Sequence, residues 1–588
     1  MKKSRLFVLI AAVLLLLSLP VLGAASGPYG LSLSWTGDPA TTITAVWQND
    51  TQHHEVLQVI SQAQYDKTGF ADAMEFPAAC KDVSLDGSGA WHYEATADGL
   101  TPATAYVYRV GCQEGWSKTH RFTTEDPASE SLTFAYMGDV QPVNDSAAEF
   151  ALWGKLTESL YQRHPELRFA VLGGDIVNSG ISLAQFHLFF QNAEPVFSNV
   201  PLFSTIGNHE SNFISGKAEL FLDLFAFPQN GPDGFQEEFY SFDAGSCHIV
   251  VVNSWIFSGE QKLTAEDFDR ISAWLKDDLA TSTGDWQIVI THLPGYAVHS
   301  DANAQKMKEA WVSIFEDYGV DLVLEGHQHV YSRSYPMYRG KIDYENGIPY
   351  IMGVSGSKFY DSADETLAER TIYNTATYQL IHVDGNMLTV QTMDAEGNEL
   401  DHTTVQQRNY IPNYTDVTSG SWYEPGVAYV TENRLFSAAG GNIFAPETPM
   451  TRLMLIQALY RLAGSPPVST GSPFDDCSDK AVAWAYGAGV VNGKGGAKFD
   501  PYGSITRQEM AAMFYRYEEK VTKADISPGS SLAGYTDKSD VAPWAQESMQ
   551  WAVGCGLIKG TSHTTLTPSG TATRAQAAVI TMRFAKGG

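Results

Sequence analysis

The sequence predicts a multidomain chain: a small β-sandwich, then a layered α/β domain, then an α-helical bundle of three repeats. Three observations predict it. Between Tyr29 and Thr124, alternating strands such as Thr42–Trp47 and Ala105–Val110 are broken by turn-rich pieces and show no convincing helix. From Ser131 to Asp401, apolar strand-like runs alternate with helical patterns at Ala147–Arg163, Thr264–Ala280 and Gln305–Tyr318, the alternation of an α/β domain. From about Asn413, one unit recurs roughly every sixty residues. A chain of 588 residues is too long for one core, so several domains are required.

The sandwich region carries no group that suggests chemistry, and its aromatics read as core. Ahead of it, Lys2, Lys3 and Arg5 precede the apolar run Leu6–Leu22, which ends in Gly23-Ala24-Ala25. This reads as a signal peptide over residues 1–25, with an uncleaved anchor as the lesser alternative and no membrane span in the mature chain. The formal net charge of −29 disfavours nonspecific attraction to nucleic acid and suits a solvated extracellular surface. Five cysteines are too few and too scattered for a disulfide framework, although Cys80 and Cys112 fall in the same strand-rich region and could pair after export.

The middle domain repeats one grammar: an apolar strand, a glycine or sharp stop, then a metal-type ligand. Leu132–Met137 leads into Gly138-Asp139, and Leu167–Leu172 into Gly173-Gly174-Asp175. Leu202–Ile206 leads into Gly207-Asn208-His209-Glu210, Trp286–Thr291 into His292, and Val320–Glu325 into Gly326-His327-Gln328-His329. Each strand is expected to deliver one polar group to the same sheet edge, where open α/β sheets keep their chemistry. Alternate residues of an extended segment share a face, so His327 and His329 can turn inward together, and neutral imidazoles suit Zn, Fe or Mn. The last strands, Tyr378–Val383 and Met387–Met393 across Asp384-Gly385-Asn386, read as a hairpin.

This series resembles the calcineurin-like metallophosphoesterases, and within them the purple acid phosphatases, over residues 131–401. Gly99–Gly111, with Trp116-Ser117 and Phe122-Thr123-Thr124, is similar to the fibronectin-type-III-like domain that precedes the catalytic domain there, here residues 26–126. The resemblance implies two sheets packed face to face with helices outside, and a pair of metal ions (Fe, Zn or Mn). Asp175 would bridge them; Asn208, His292 and His327 would complete one site, and Asp139 and His329 the other. A water activated between the ions would attack phosphorus in line, with no side-chain nucleophile. His209 would contact the phosphate or protonate the leaving group. His299 loosely matches a second histidine on the phosphate side, and Glu210 and Arg333 are expected to support the ligands. Two positions depart from the pattern: Asn178 stands where purple acid phosphatases carry their ferric-binding tyrosine, and Gln141 where many relatives carry a histidine. Both are retained as weak ligand candidates, and loss of a phenolate weakens the case for Fe(III).

The C-terminal units open with Tyr414-Thr-Asp416, Phe474-Asp-Asp476 and Tyr535-Thr-Asp537, each followed by a tryptophan (Trp422, Trp484, Trp544). Thr451-Arg452, Thr506-Arg507 and Thr573-Arg574 then start helices. Threonine is a natural N-cap, and Thr506 with Glu509 spells a capping box. The helices Leu453–Ala463 and Gln508–Lys520 are amphipathic, so the three units should pack together. The units (413–465, 472–522, 533–586) resemble S-layer homology repeats, which implies binding of cell-wall polysaccharide. Asp416, Arg452, Asp476, Trp484, Arg507, Asp537, Trp544 and Arg574 are the glycan candidates; the alternative is that aspartate and arginine cross-link the repeats. The first repeat, with Leu453-Met454 after its arginine, departs most.

These readings predict a secreted phosphomonoesterase of acid-phosphatase type, attached to a bacterial cell wall or S-layer and acting on small phosphate esters. A phosphodiesterase or nucleotide hydrolase on the same metals is the alternative within the class, and an inactive adhesin the one outside it.

Overall fold

The computed structural model describes residues 27–587, apart from 84–89, 408–413, 440–442, 527–530 and scattered positions of one or two residues. The expected signal peptide lies outside the described residues, and among them no helix is long and apolar enough to cross a membrane.

The first domain is a sandwich of two antiparallel sheets. One has the order Tyr29–Ser34, Ile43–Asn49, Trp91–Ala97, Ala79–Asp82; the other runs Met74–Pro77, Val56–Ser61, Ala105–Cys112, Gly115–Trp116, with His120–Thr123 also paired to Ala105–Cys112. Against expectation, a helix follows the third strand at Gln62–Thr68, capped by Ser61 and burying none of its residues. Without a buried face it leaves no periodic trace in the sequence. Nor are all the aromatics internal to the sandwich: Trp35 packs on Phe169, Phe203 and Phe242 of the next domain. Tyr108 Oη donates to the Ser198 carbonyl and Ser34 Oγ to that of Ala226, so one core runs through both domains.

The second domain stacks two sheets. The six-stranded sheet has the order Leu202–Ser204, Phe169–Leu172, Ser131–Met137, Thr377–Asp384, Met387–Asp394, Glu399–Gln406, the first three parallel. The seven-stranded sheet runs Phe239–Ala244, Cys247–Val252, Trp286–Thr291, Leu322–Glu325, Tyr350–Met352, Tyr331–Ser334, Ala368–Ile372. Strand alternation divides the second sheet cleanly. Ile249, Val251, Ile288, Ile290, Leu322 and Leu324 join the core shared with the first sheet, while Val250, Val252, Val289 and Val323 pack under the outer helices. Those helices include Ala265–Thr281, with Thr264 and Asp267 forming a capping box, and Ala302–Met307, which continues as helical turns to Asp317. Ala147–Arg163 lies where the sequence places it. Leu183–Phe197 is an additional helix, its pattern obscured by Pro195 and by eight buried positions among fifteen residues.

The third domain is a closed ring of three repeats. Each contributes two helices: Glu424–Glu432 with Arg452–Leu462, Lys480–Gly487 with Arg507–Tyr517, and Gln546–Gly554 with Arg574–Ala585. Thr451, Thr506 and Thr573 cap the second helix of each pair, and Thr506 with Glu509 forms the capping box. Just before the caps, the backbone amides of Ile505, Ala572 and Met450 donate to the carbonyls of Met450, Ile505 and Ala572 respectively, closing a three-membered cycle. Arg461 of the first repeat reaches the middle domain, donating to the Ser282 carbonyl at 2.8 Å.

Candidate metal centre

The ligand-bearing residues come from both sheets, not from one edge. Asp139, Asp175 and Asn208 follow strands of the six-stranded sheet; His292 and the His327–His329 segment follow strands of the seven-stranded one. The two sets meet because the sheets are tied at this end: Tyr136 Oη donates to the Glu325 carbonyl, Thr205 Oγ1 to Val252, and His292 Nδ1 to Gly173 at 2.8 Å.

Local backbone explains the recurrent glycine. A Cβ on Gly207 would strike Asp175 Oδ1, and one on Gly326 would strike Asp139 Oδ1. Asp175 and His327 themselves sit at φ 51° and 75°, conformations disfavoured for residues with a side chain. Each is held there. Glu210, fully buried, accepts the amides of Asp175 (2.7 Å), Ile176 (2.8 Å) and Gly207 (2.8 Å), gripping two ligand turns with one carboxylate. The His327 amide donates to Asp139 Oδ1 at 2.9 Å.

Around Asn208 the geometry suits a cation. His292 Nδ1 is committed to a carbonyl, so the neutral ring turns a lone pair outward at Nε2, 3.1 Å from Asn208 Oδ1 and 3.5 Å from Asp175 Oδ1. His327 gives Nε2 to Asp301 Oδ2 at 2.9 Å, which leaves Nδ1 with its lone pair, 2.9 Å from Asn208 Oδ1 and 3.2 Å from His292 Nε2. Four acceptor atoms thus converge with no proton between them. Beside them, Asp139 Oδ2 and His329 Nδ1 lie 3.5 Å apart, both buried and neither hydrogen-bonded. Asp175, His292 and His327 form one set of ligand atoms lying within 4.8 Å of one another, and Asp139, Asp175 and His329 a second. Asp175 is common to both, the place of a bridging ligand. These residues fit two metal ions.

Electrostatics agrees with the fit. Burial pushes His292 down to about 4 and His329 to about 3, so both are neutral imidazoles, the ligating form. Burial drives Asp175 upward, but positive charge placed at the facing histidines, together with the amide donated by His209, holds this carboxylate below its usual range. Burial and the charge of Asp175 raise Asp139. Two carboxylates this close require cations between them to ionise together.

The other expected residues take varied positions. The His209 amide donates to Asp175 Oδ1, and its ring Nδ1 donates to the Asn178 carbonyl at 2.8 Å. At Asn178 the recorded contacts are those of the backbone, its amide donating to Gln185 Oε1. Gln141 lies inside the site, its amide nitrogen 2.9 Å from His329 Nε2. His299 is one ring removed: it meets Tyr360 edge-on at 5.0 Å, and Tyr360 meets His329 at 5.1 Å. Arg333 supports the fold farther off, through Asp401 and Glu369.

Sequence reasoning missed Asp301, Gln328 and Tyr360. Asp301 Oδ1 caps the helix Ala302–Met307 by accepting from Asn303 and Ala304, while Oδ2 orients His327. As a sequence signal it reads only as an N-cap. Gln328, between the two histidines, accepts from the amides of Val298 and His299 and so positions that loop.

In the helical domain, the glycan candidates divide. Arg452, Arg507 and Arg574 are 4%, 5% and 3% exposed, and their Nε atoms donate to the carbonyls of Phe499, Leu566 and Phe444, each in the neighbouring repeat. Asp476, Asp537 and Asp416 accept the amides of the same three segments, at Phe499–Asp500, Leu566–Thr567 and Phe444–Ala445. In the fold, the three arginines cross-link neighbouring repeats, while each aspartate caps a segment of its own repeat. Trp484 is half-buried against Tyr460 and Tyr517, because its tryptophan comes one residue later in the unit than Trp544 does. Trp544 and Trp422 are 56% and 61% exposed.

Residues 132–331 match the calcineurin-like phosphoesterase family. Residues 28–124 match the purple acid phosphatase N-terminal domain, and relatives similar to the chain carry the purple acid phosphatase name. Purple acid phosphatase 15 of Arabidopsis thaliana is 28% identical over 292 residues, 44% of this chain and 52% of that protein, so the chain spans about half its length. Acid phosphatase type 7 of Homo sapiens is 26% identical over 356 residues, 56% of this chain and 76% of that one. In fold, the chain is similar to purple acid phosphatase PPD1 from yellow lupin (Lupinus luteus) seeds, with a TM-score of 0.54, 17% identity and coverage of 65% and 75%. Residues 413–453, 473–511 and 534–578 match S-layer homology domains, a module of cell-surface attachment.

Proposed function

We propose that this chain is a binuclear metal-dependent phosphomonoesterase of acid-phosphatase type, exported and held at a cell wall by its three C-terminal repeats. The observation that carries the reading is the convergence of unprotonated acceptor atoms in two sets that share Asp175. Asn208, His292 and His327 would hold one ion, Asp139 and His329 the other. When bound, the pair would clamp phosphate oxygens and acidify a water for in-line attack on phosphorus. The rest falls to the chain's own residues. Asp301 and the Gly173 carbonyl fix which nitrogen each ligand histidine presents, and Glu210 holds the turns. With Nδ1 committed to Asn178, His209 exchanges protons only at Nε2, and a proton carried there is the one it can give to a leaving oxygen. His299 stands behind Tyr360, one ring from His329. Without a tyrosine at position 178, the iron-loaded protein should lack a tyrosinate-to-iron absorption band.

Metal analysis with parallel hydrolysis of a chromogenic monoester and a diester tests the proposal. Two metals per chain and preference for the monoester are expected; preference for the diester would transfer the site to phosphodiesters, and no hydrolysis at full metal load would leave only an adhesin. For attachment, the exposed Trp422 and Trp544 give the repeats stacking surfaces for sugars. A chain ending after Gln407 should hydrolyse the monoester normally and fail to sediment with cell-wall material. Equal sedimentation would remove the anchoring role.

A further inference from the structure

The sandwich holds a third group of metal-type ligands, far in sequence from the catalytic residues. His53, Cys112 and Glu114 each offer a ligand atom, and the three atoms lie within 4.8 Å of one another. Strand register brings them together. Val56 pairs with Gly111, and continuing that antiparallel register past the strand ends sets His53 opposite Glu114. Cys112 pairs with Gly115 across the two-residue turn Gln113-Glu114, which returns Glu114 beside Cys112.

Both segments are fixed before any ion arrives. Tyr93 Oη accepts from the His53 amide at 2.7 Å and donates to its carbonyl at 3.2 Å. Glu55, two residues on, is buried and accepts from Trp47 Nε1 and Asn49 Nδ2, which pins the loop between the sheets. On the hairpin, the Cys112 thiol and the Glu114 carboxylate offer ligand atoms within 4.8 Å of each other. A divalent cation seated between such groups displaces the thiol proton as it binds.

We propose that His53, Cys112 and Glu114 bind one Zn(II) ion, with water completing a tetrahedron, as a staple between the crossover loop at residues 50–55 and the turn at 112–115. The donor set of imidazole, thiolate and carboxylate suits zinc in kind and in charge: one thiolate and one carboxylate neutralise the dication. On binding, the S–H bond breaks, the Zn–S bond forms and the proton leaves to solvent. The loop at 50–55 carries the chain from one sheet of the sandwich to the other, so the ion would pin that crossover. The proposal is independent of the catalytic reading, whose site contains no sulfur.

That absence of sulfur supplies the test. Full-length protein loaded with Co(II) should show a near-ultraviolet thiolate-to-cobalt charge-transfer band that added zinc abolishes. The band should vanish in Cys112→Ser and in His53→Ala and persist in Cys80→Ser, with monoester hydrolysis unchanged in all three. Glu114→Gln, at an exposed turn position that the fold does not depend on, should keep the structure and weaken zinc binding by roughly 10-fold or more. No band in the wild type, a band surviving in Cys112→Ser, or unaltered zinc affinity in Glu114→Gln would each overturn the assignment.

Discussion

The metal centre and the helical ring are both built from recurring motifs that carry aspartates and strong polar partners, and they satisfy these groups in opposite ways. In the ring, every motif aspartate accepts backbone amides, and every motif arginine donates to a carbonyl of the same segment. In the metal centre, Asp139 Oδ2 and His329 Nδ1 are buried without partners, and lone pairs face one another around Asn208. A buried polar group left unsatisfied costs free energy that a stable fold does not accept without return. The contrast teaches that recurrence alone does not mark a binding site; the state of hydrogen bonding does.

Removing the shared carboxylate tests that contrast most severely. Asp175→Ala should lower monoester hydrolysis by roughly 10³-fold or more and reduce bound metal, while the thermal midpoint changes little, because the side chain's recorded partners belong to the centre. Near-wild-type turnover by that variant would falsify the binuclear reading. His209→Ala should lose about 10²–10⁴-fold in kcat yet keep both metals, as measured by metal analysis beside steady-state kinetics. Loss of a metal equivalent there would make His209 a ligand.

The smaller effects sharpen the boundary between the two regions. Asp301→Asn should weaken metal affinity by roughly 10–100-fold, detected by chelator competition, since the amide no longer enforces the His327 tautomer. Arg507→Ala should leave hydrolysis untouched and destabilise the ring by about 1–3 kcal/mol, because the carbonyls of Leu566 and Lys559 lose their donor. Denaturation followed through the ring's tryptophans measures it. A wild-type midpoint combined with lost wall binding would instead make Arg507 a glycan contact.

What the sequence reveals follows from how each feature is built. The strand–glycine–ligand grammar is legible because the glycine is sterically required: Gly207 and Gly326 sit where a side chain would displace Asp175 or Asp139. The caps at Thr451, Thr506 and Thr573 are legible because one side chain closes onto a backbone amide three residues on. Tertiary pairings leave no such local trace. Asp301 meets His327 across 26 residues, and Trp35 leaves its own sandwich to pack on Phe169. The helix Leu183–Phe197 carries Pro195 inside it, a residue that argues against a helix when read from sequence alone. That the ligands come from two sheets rather than one edge is likewise a fact of topology, since the motifs read alike along either sheet.

The closed cycle of the three repeats also orders events in time. Arg574 completes the clamp on Phe444 from 130 residues downstream, and the Met450 amide has its partner at Ala572. As the chain emerges during synthesis, the catalytic domain is whole by Gln406 and can take up metal, whereas the first repeat stays open until the third has been made. Attachment is therefore the last competence the molecule acquires, and a chain interrupted before Arg574 would be released with a finished active site and no hold on its surface.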